Sequence, residues 1–233
     1  MKIAFCHRRL ALSLTLLIVF STQSLASVVI TGTRVIYPSD AKEVSVKINN
    51  VGPSPVLLQS WIDKGDANAQ PANIQVPFVL TPPMNRVEAG KGQTLRISYA
   101  GGTLPMDKES VFWLNVLEVP AKKQAKADEN FLQMAFRSRI KLFYRPTGLE
   151  GNANDAAKAV TWHAQGDSLQ ATNPTPFFVS FVSLKVNGKQ VEGDMVAPRG
   201  TLAFKLPAHA GNTLTGDFVN DYGAVTPFEA VIK

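Results

Sequence analysis

The residue types that most often carry chemistry are sparse in this chain. Its single cysteine is Cys6, and two of its three histidines, His163 and His209, have no second ligand at metal-binding spacing. This pattern gives no reason to expect a zinc or copper site. A Ser-His-Asp triad needs only to meet in space, so a hydrolase stays open, but no Gly-x-Ser-x-Gly elbow occurs. We therefore predict a protein without enzymatic activity, metal or cofactor.

Residues 131–144 offer features suited to binding rather than to catalysis. Alternation of period two predicts a strand there with one basic and one apolar side. The basic side carries Arg137, Arg139 and Lys141. The apolar side begins with Leu132, Met134 and Phe136. At ~3.3 Å per residue such a strand would span ~46 Å, which is more than one small sandwich covers. Part of it must pair elsewhere or lie at a sheet edge.

Two interpretations of this apolar side follow from the residues alone. In the first, Leu132, Met134 and Phe136 fill the core of their own domain, as most alternating strands do. In the second, an extended edge strand lends its hydrogen-bonding groups and alternate side chains to a sheet in another protein. Both interpretations stay open on these grounds.

The amino terminus has the features of a secretory signal. Lys2, Arg8 and Arg9 precede an apolar run over residues 10–20, and small residues follow at 24–26. The apolar run is shorter than the ~20 residues of a membrane-spanning helix. We predict cleavage after Ala26, which leaves an exported chain without a membrane span.

Export changes the charge and redox properties of the chain. Removal of three basic residues lowers the net charge from +6 to +3. Without a dense basic block, that charge indicates no nucleic-acid partner. Cys6 leaves with the signal, so the mature chain forms no disulfide and its cores must hold without one.

The rest of the chain predicts two all-β domains. Strands are predicted at 28–37, 44–50, 56–63, 78–80, 95–99, 110–119 and 131–144, and in the second domain at 160–164, 169–172, 177–186, 202–206, 213–218 and 226–232. Seven strands without a helical period favour a β-sandwich for the first domain. The predicted organisation is a signal at 1–26, a first domain at 27–146, a linker at 147–158 and a second domain at 159–233.

Several segments resemble one known family in order and spacing. The clearest is residues 139–146, RIKLFYRP. The others are residues 33–37, 81–83, 112–120, 173–177 and 220–223. Together they resemble the PapD-like periplasmic chaperones of the chaperone–usher pathway of pilus assembly, over essentially the whole mature chain. The resemblance implies two immunoglobulin-like β-sandwich domains arranged as a boomerang.

The resemblance also implies a function and its residues. Such a chaperone binds, folds and caps pilus subunits by donating a strand, and delivers them to an outer-membrane usher. Matching positions imply that Arg34 and Lys141 bind the carboxyl terminus of a subunit. The side chains that enter the groove of the subunit would be Leu132, Met134 and Phe136.

Two further features are implied by the resemblance. Glu109, Arg145 and Asp221 match a charged network that links the two domains. The polar segment at 121–130 has no cysteine pair and resembles the family branch with a short loop before the donor strand. An apolar edge strand also invites self-association of the free protein.

Three alternatives to a pilus chaperone remain. A chaperone for another surface structure would carry the same residues. An adhesive immunoglobulin-like module or pilus subunit fits less well, because subunits resemble one incomplete domain and this chain has two. A secreted β-sandwich enzyme would need a catalytic constellation that the sequence does not display.

Overall fold

The computed structural model describes residues 27–121 and 133–233. The predicted signal at 1–26 lies outside these ranges. The first domain contains strands β1 (Val28–Ile30), β2 (Arg34–Pro38), β3 (Val44–Asn50), β4 (Val56–Asp63), β5 (Phe78–Thr81), β6 (Met84–Val87), β7 (Gly92–Tyr99), β8 (Ser110–Pro120) and β9 (Phe136–Arg145). A single 3-10 turn within the described part of this domain covers Pro71–Asn73.

The second domain has eight further strands in its described residues. They are β10 (Thr161–Gln165), β11 (Ser168–Thr172), β12 (Val179–Val186), β13 (Lys189–Glu192), β14 (Met195–Val196), β15 (Thr201–Phe204), β16 (Thr213–Val219) and β17 (Val225–Val231). A 3-10 turn at Ala153–Asp155 and a short helix α1 (Ala156–Ala159) precede β10. The predicted all-β class is confirmed.

Each domain is a sandwich of two sheets. In the first domain the orders are β1-β3-β7-β5 and β2-β9-β8-β4-β6. In the second they are β10-β11-β15 and β13-β12-β16-β17, with β14 also paired to β12. The prediction of two immunoglobulin-like β-sandwich domains is thus confirmed.

Alternating strands build the core of the first domain. Val46 and Ile48 of β3 face inward between exposed neighbours, as period-two side-chain placement requires. They share the core with Leu95 of β7, the next strand in the same sheet, and with Leu114 of β8 in the facing sheet, both of which are almost completely buried.

A separate core fills the second domain. It gathers around Trp162, which stacks on Phe228 with ring centroids 6.0 Å apart. Ala156 and Ala157 of α1 are also buried in this core. The last part of the predicted linker, 147–158, therefore packs as part of the second domain.

The predicted first strand, 28–37, is divided between two sheets. β1 pairs with β3 in one sheet, whereas β2 pairs in parallel with β9 in the other. Between them Gly32 has a φ of 98°, a backbone conformation that residues other than glycine rarely adopt. The chain thus crosses from one sheet to the other and places Arg34 beside β9.

The predicted strand at 131–144 is shorter in the structure. β9 begins at Phe136, and 133–135 are not in a strand. Residues 131 and 132 lie outside the described residues. β8 pairs with β9 only as far as Phe136, opposite Glu118, and the last two residues of β8, Val119 and Pro120, pair with β4 alone.

Two properties bear on the function classes considered above. Within 27–121 and 133–233, no helix is both long and apolar enough to cross a membrane. The same ranges contain no group of three or more His, Cys, Asp or Glu side chains that could hold a metal ion. His163 lies on β10 and His209 in the segment before β16, in separate parts of the second domain.

Candidate functional site

The parallel pairing of β2 with β9 sets the position of the two basic residues. Arg34 and Lys141 are direct register partners in this pairing. Because they occupy the same register, their side chains leave the sheet on the same face. The sequence prediction that these residues act together is consistent with this placement, although their role stays a prediction.

Both side chains reach the second domain. The Arg34 Nη1 donates to the carbonyl oxygen of Val219 at 2.8 Å, and the Lys141 Nζ donates to Ser180 Oγ at 3.2 Å. Ser180 and Val219 are themselves register partners of β12 and β16. One cross-strand pair of the first domain therefore contacts one cross-strand pair of the second, across the cleft between the domains.

Neither basic residue has an acidic partner in the part of the chain that the structure describes. No carboxylate there lies within 4.0 Å of Arg34 or Lys141, and the buried Arg34 Nε has no hydrogen-bond partner. Burial lowers the pKa of the Lys141 ammonium, and the charge of Arg34 lowers it further. Burial likewise lowers the pKa of Arg34, against opposing effects of Asp221 and Glu109. Two partly buried cations with unused donors form a site for an anion.

The guanidinium of Arg34 is also positioned by an aromatic ring. Its Cζ lies 5.7 Å from the centroid of the Phe143 ring. A planar cation held by a ring and by one carbonyl oxygen keeps a fixed orientation. That geometry suits a carboxylate, which a guanidinium grips through parallel hydrogen bonds.

The three residues of the predicted charged network lie together beneath the basic pair. Arg145 Nε is 2.6 Å from Glu109 Oε1, and its Nη1 and Nη2 are 2.7 and 2.9 Å from the Asp221 oxygens. The second Glu109 oxygen accepts the backbone N–H of Phe178 at 2.7 Å. Since Asp221 and Phe178 belong to the second domain, the network joins both domains.

The electrostatics of the network differ between its members. Burial raises the pKa of Glu109, although the charge of Arg145 opposes that effect. Burial alone would lower the pKa of Arg145, but its bonds to Asp221 and the charge of Glu109 raise it above the usual arginine value. The Glu109 side chain is 2 % exposed, so the network is largely shielded from solvent.

A close backbone approach completes the contact between domains. Gly223, in the turn between β16 and β17, has a φ of 81°. A Cβ atom there would lie 2.5 Å from Thr33 Oγ1, directly before Arg34 in sequence. Glycine is therefore required for this turn to lie against the start of β2.

The strand that carries Lys141 has an unpaired edge in its first half. β8 pairs with β9 from Phe136 to Tyr144, but β2 covers its other edge only from Lys141 to Arg145. Residues 136–140 thus have no described strand on that side. Their free N–H and C=O groups can accept another strand.

Apolar side chains accompany this free edge. Phe136 is 37 % exposed and Met134 is 43 % exposed. Phe136 lies on the same face of β9 as Leu142, which is completely buried in the core. Leu132, the third residue of the predicted apolar side, lies outside the described residues.

Sequence reasoning missed Ser180 and Val219. Val219 contributes only a backbone carbonyl, which no residue type reveals. Ser180 had one signal, since it is a hydroxyl within the apolar run at 177–182. Such a residue needs a polar partner when it is buried.

Comparisons with known proteins agree with these features. A family model described as the N-terminal domain of PapD, a pili and flagellar-assembly chaperone, matches residues 27–150. The model of the C-terminal domain of PapD matches residues 155–230.

Individual relatives cover most of the chain. A probable fimbrial chaperone of Escherichia coli K12, YadV, is 48% identical over 219 residues, which are 88% of this chain and 89% of the relative. The chaperone protein FimB/FhaD of Bordetella pertussis is 45% identical over 95% of each chain. The solved complex of the SafA pilin with the SafB chaperone of Salmonella enterica matches with a TM-score of 0.77 and 30% identity, over 90% of this chain and 98% of that one.

Proposed function

This chain belongs to the PapD family of pilus-assembly chaperones, and we propose that it captures pilus subunits through the edge strand β9 and the basic pair beside it. The subunit is completed by a strand that this chain lends. It is then delivered to an outer-membrane usher. The similarity to the chaperone of a solved chaperone–pilin complex supports this function.

The basic pair binds the carboxyl terminus of the subunit. Arg34 provides a planar pair of donors and Lys141 a compact charge. Each charge-assisted hydrogen bond contributes ~1.5–3 kcal/mol. The lack of a carboxylate partner among the described residues supports this role, because the two cations then have donors available for an incoming anion.

The apolar side of the strand enters the groove that the subunit's missing strand leaves. Leu132, Met134 and Phe136 are the side chains that fill it. Burial of three such side chains is worth roughly 5–9 kcal/mol, against an association cost of ~4–15 kcal/mol. Backbone pairing along residues 136–140 and the carboxylate contact must therefore contribute as well.

Lys141 continues the same stretch of chain as the apolar side chains, so the anchor also sets the register of pairing. Lys141 is five residues after Phe136 in β9. Fixing the subunit terminus at Lys141 fixes which side chains face the groove. A slip by one residue would present Gln133 and Ala135 instead of the apolar side chains.

The charged network supports binding indirectly. Arg145 follows Lys141 on β9 and bonds acidic residues on both sides of the cleft. It holds the two domains in the relative position that keeps Arg34 and Lys141 in contact with Val219 and Ser180. Glu109 and Asp221 are its partners in this role.

The chain acts in the periplasm and without catalysis. The signal at 1–26 directs export, and relatives named as fimbrial chaperones support this compartment. The segment at 121–130 belongs to the short-loop branch of the family, although most of it lies outside the described residues. Self-association of the free chain through the apolar edge is a further part of the proposal.

One observation carries the proposal above the others. The free edge of β9 ends at Lys141, and Arg34 lies beside Lys141 on the neighbouring strand β2, with no carboxylate of the described residues within 4.0 Å of either cation. A domain that used β9 only for its own core would not need this combination.

Co-expression in a periplasm tests the proposal. The mature chain, tagged, is produced with the pilin-like subunits encoded beside it, and the masses of eluted complexes are measured. We expect a one-to-one complex with a subunit, which Arg34→Ala or Lys141→Ala abolishes. The matched controls are Arg96→Ala and Lys47→Ala, exposed basic residues on the opposite sheet of the same domain.

Two outcomes would count against it. If the wild-type chain captures no subunit, the pilus function fails and a chaperone of another surface structure becomes the better hypothesis. If Arg34→Ala and Lys141→Ala both retain the complex at the control level, the carboxylate anchor is wrong.

A further inference from the structure

Asp63 is a buried carboxylate on the outer face of the first domain. Along β4 the core side chains alternate up to Ile62, so Asp63 points away from the core. Its side chain is nevertheless only 2 % exposed. A carboxylate in that position requires partners of its own.

Four hydrogen-bond donors contact the Asp63 carboxylate. Arg139 approaches with Nη2 at 2.6 Å from Oδ1 and Nε at 3.3 Å from Oδ2. Asn115 Nδ2 donates to Oδ2 at 2.7 Å, and the backbone N–H of Gly65 donates to Oδ1 at 2.6 Å. Burial alone would raise the pKa of Asp63, but these bonds outweigh it and lower the pKa, so the carboxylate stays charged.

The guanidinium of Arg139 is fixed on its other side as well. Its Cζ lies 4.8 Å from the centroid of the Trp113 ring. Trp113 is the register partner of both Asp63 on β4 and Lys141 on β9. The cluster therefore crosses three strands and lies directly beside the proposed anchor.

Arg137, two residues earlier on the same face of β9, is held in a similar way. Its Nη1 donates to the carbonyl oxygen of Ala67 at 2.7 Å. Ala67 belongs to the segment that follows β4, which ends at Asp63. Arg137 and Arg139, the two arginines within residues 136–140, thus hydrogen-bond to β4 or to the segment after it. Phe136 on the opposite face stays partly exposed and can contact a subunit.

We propose that Asp63, acting through Arg139, is a positioning residue that keeps residues 136–140 of β9, which pair with β8 on one edge only, extended and in register before a subunit arrives. A strand segment that is paired on one edge only frays more easily than one paired on both, and subunit binding would have to restore its order. Arg137 adds a second, weaker tie. The inference rests on the proposed function, because it assigns these residues a task in subunit capture.

The free protein provides the first test, independent of any subunit. Hydrogen exchange followed by mass spectrometry compares the wild-type chain with Asp63→Asn. We expect exchange across 136–140 to accelerate about tenfold or more, while β3 and β7 in the opposite sheet keep their protection. Glu88→Gln is the matched control, since it removes an exposed carboxylate 2.7 Å from Arg86 in the same domain.

Subunit capture provides the second test. With a subunit that the wild-type chain retains on co-expression, we expect the Asp63→Asn complex to form at least several-fold more slowly, with the Glu88→Gln complex unchanged. A residue that only stabilised the fold would leave the exchange at 136–140 in step with the rest of the domain. Arg137→Ala should show the same pattern more weakly, and it decides the question if Asp63→Asn does not fold.

The results separate this inference from the proposed function. Capture by the wild-type chain, with exchange at 136–140 unchanged in Asp63→Asn and Arg137→Ala, would overturn the positioning role alone. Faster exchange without any capture of a subunit by the wild-type chain would overturn the proposed function and, with it, the task assigned here.

Discussion

Arg34 and Lys141 differ from the other basic residues of the chain in what surrounds them. Each donates one hydrogen bond to the second domain, yet no carboxylate of the described residues lies within 4.0 Å of either. Burial disfavours the charge of both side chains. In the proposed complex, a subunit carboxylate between the two cations would relieve this cost.

The lowered pKa of Lys141 predicts how capture depends on pH. Its usual value is ~10.4, and the folded protein releases the proton at a lower pH. Because only the ammonium attracts a carboxylate, affinity for a subunit should fall as the pH rises through this lowered pKa. Titration of complex formation from neutral to alkaline pH measures the effect.

Lys141→Arg serves as the control for this titration. A guanidinium stays charged throughout the range, so the variant should lose most of the alkaline decline. An identical decline in Lys141→Arg would show that some other group titrates.

At the scale of single elements, β9 works as two halves. From Lys141 onward it lies between β8 and β2 and carries core residues such as Leu142. From Phe136 to Ile140 it has one partner, and its apolar side is partly exposed. The same strand thus belongs to its own sheet at one end and is available to another protein at the other.

Replacement of the three apolar side chains proposed to enter the subunit groove tests strand donation directly. Leu132→Ser, Met134→Ser and Phe136→Ser together should abolish the subunit complex, because each buried side chain contributes ~1.5–3 kcal/mol. Each single change should weaken binding by roughly tenfold or more. Complexes are compared by their dissociation rates after purification.

Three exposed valines give a matched control. Val79, Val182 and Val231 are 53 %, 41 % and 64 % exposed and lie outside β9. Their combined replacement by serine should leave capture intact. Equal loss of binding in both triple variants would argue against a specific donor strand.

Sequence patterns found most elements because alternation reports burial directly. The predictions at 44–50 and 56–63 coincide with β3 and β4. The prediction at 28–37 failed at Gly32, since a change of sheet depends on tertiary pairing. β6, β13 and β14 were missed because they are short and their side chains alternate weakly.

The sequence likewise predicted only part of the candidate site. Motif matches indicated Arg34, Lys141, Glu109, Arg145 and Asp221, and the structure brings the last three into one network. Their contacts with Val219, Ser180 and Phe178 join residues distant in sequence, so no local pattern could reveal them. Asp63 was overlooked because its burial depends on Arg139 and on the segment after β4.

At the scale of the whole molecule, a few polar contacts join two separate cores. Arg145 bonds Glu109 within its own domain and Asp221 in the other. Arg34 and Lys141 add contacts across the same cleft. The proposed subunit anchor and the contact between domains therefore depend on each other.

The contribution of Glu109 to the stability of the protein should depend on pH. Its pKa is raised in the folded protein, so the folded state holds a proton that the unfolded state releases near pH ~4.3. The stability of the wild-type chain relative to Glu109→Gln should therefore fall as the pH rises from about 4 through the raised pKa, and then level off. Urea unfolding at a series of pH values measures this difference.

Glu88→Gln again provides the comparison, because its carboxylate lies at the surface. Because an exposed ion pair contributes little to stability, Glu88→Gln serves as the reference for replacing a buried glutamate of the same domain. A relative stability of Glu109→Gln that is constant with pH would contradict the account of the network.

The most direct measurement is hydrogen exchange in the purified complex of this chain with a subunit. If β9 donates a strand, amides across 136–140 become strongly protected on binding, while β10 and β11 of the second domain exchange as in the free chain. Unchanged exchange across 136–140 in a stable complex would contradict strand donation by β9.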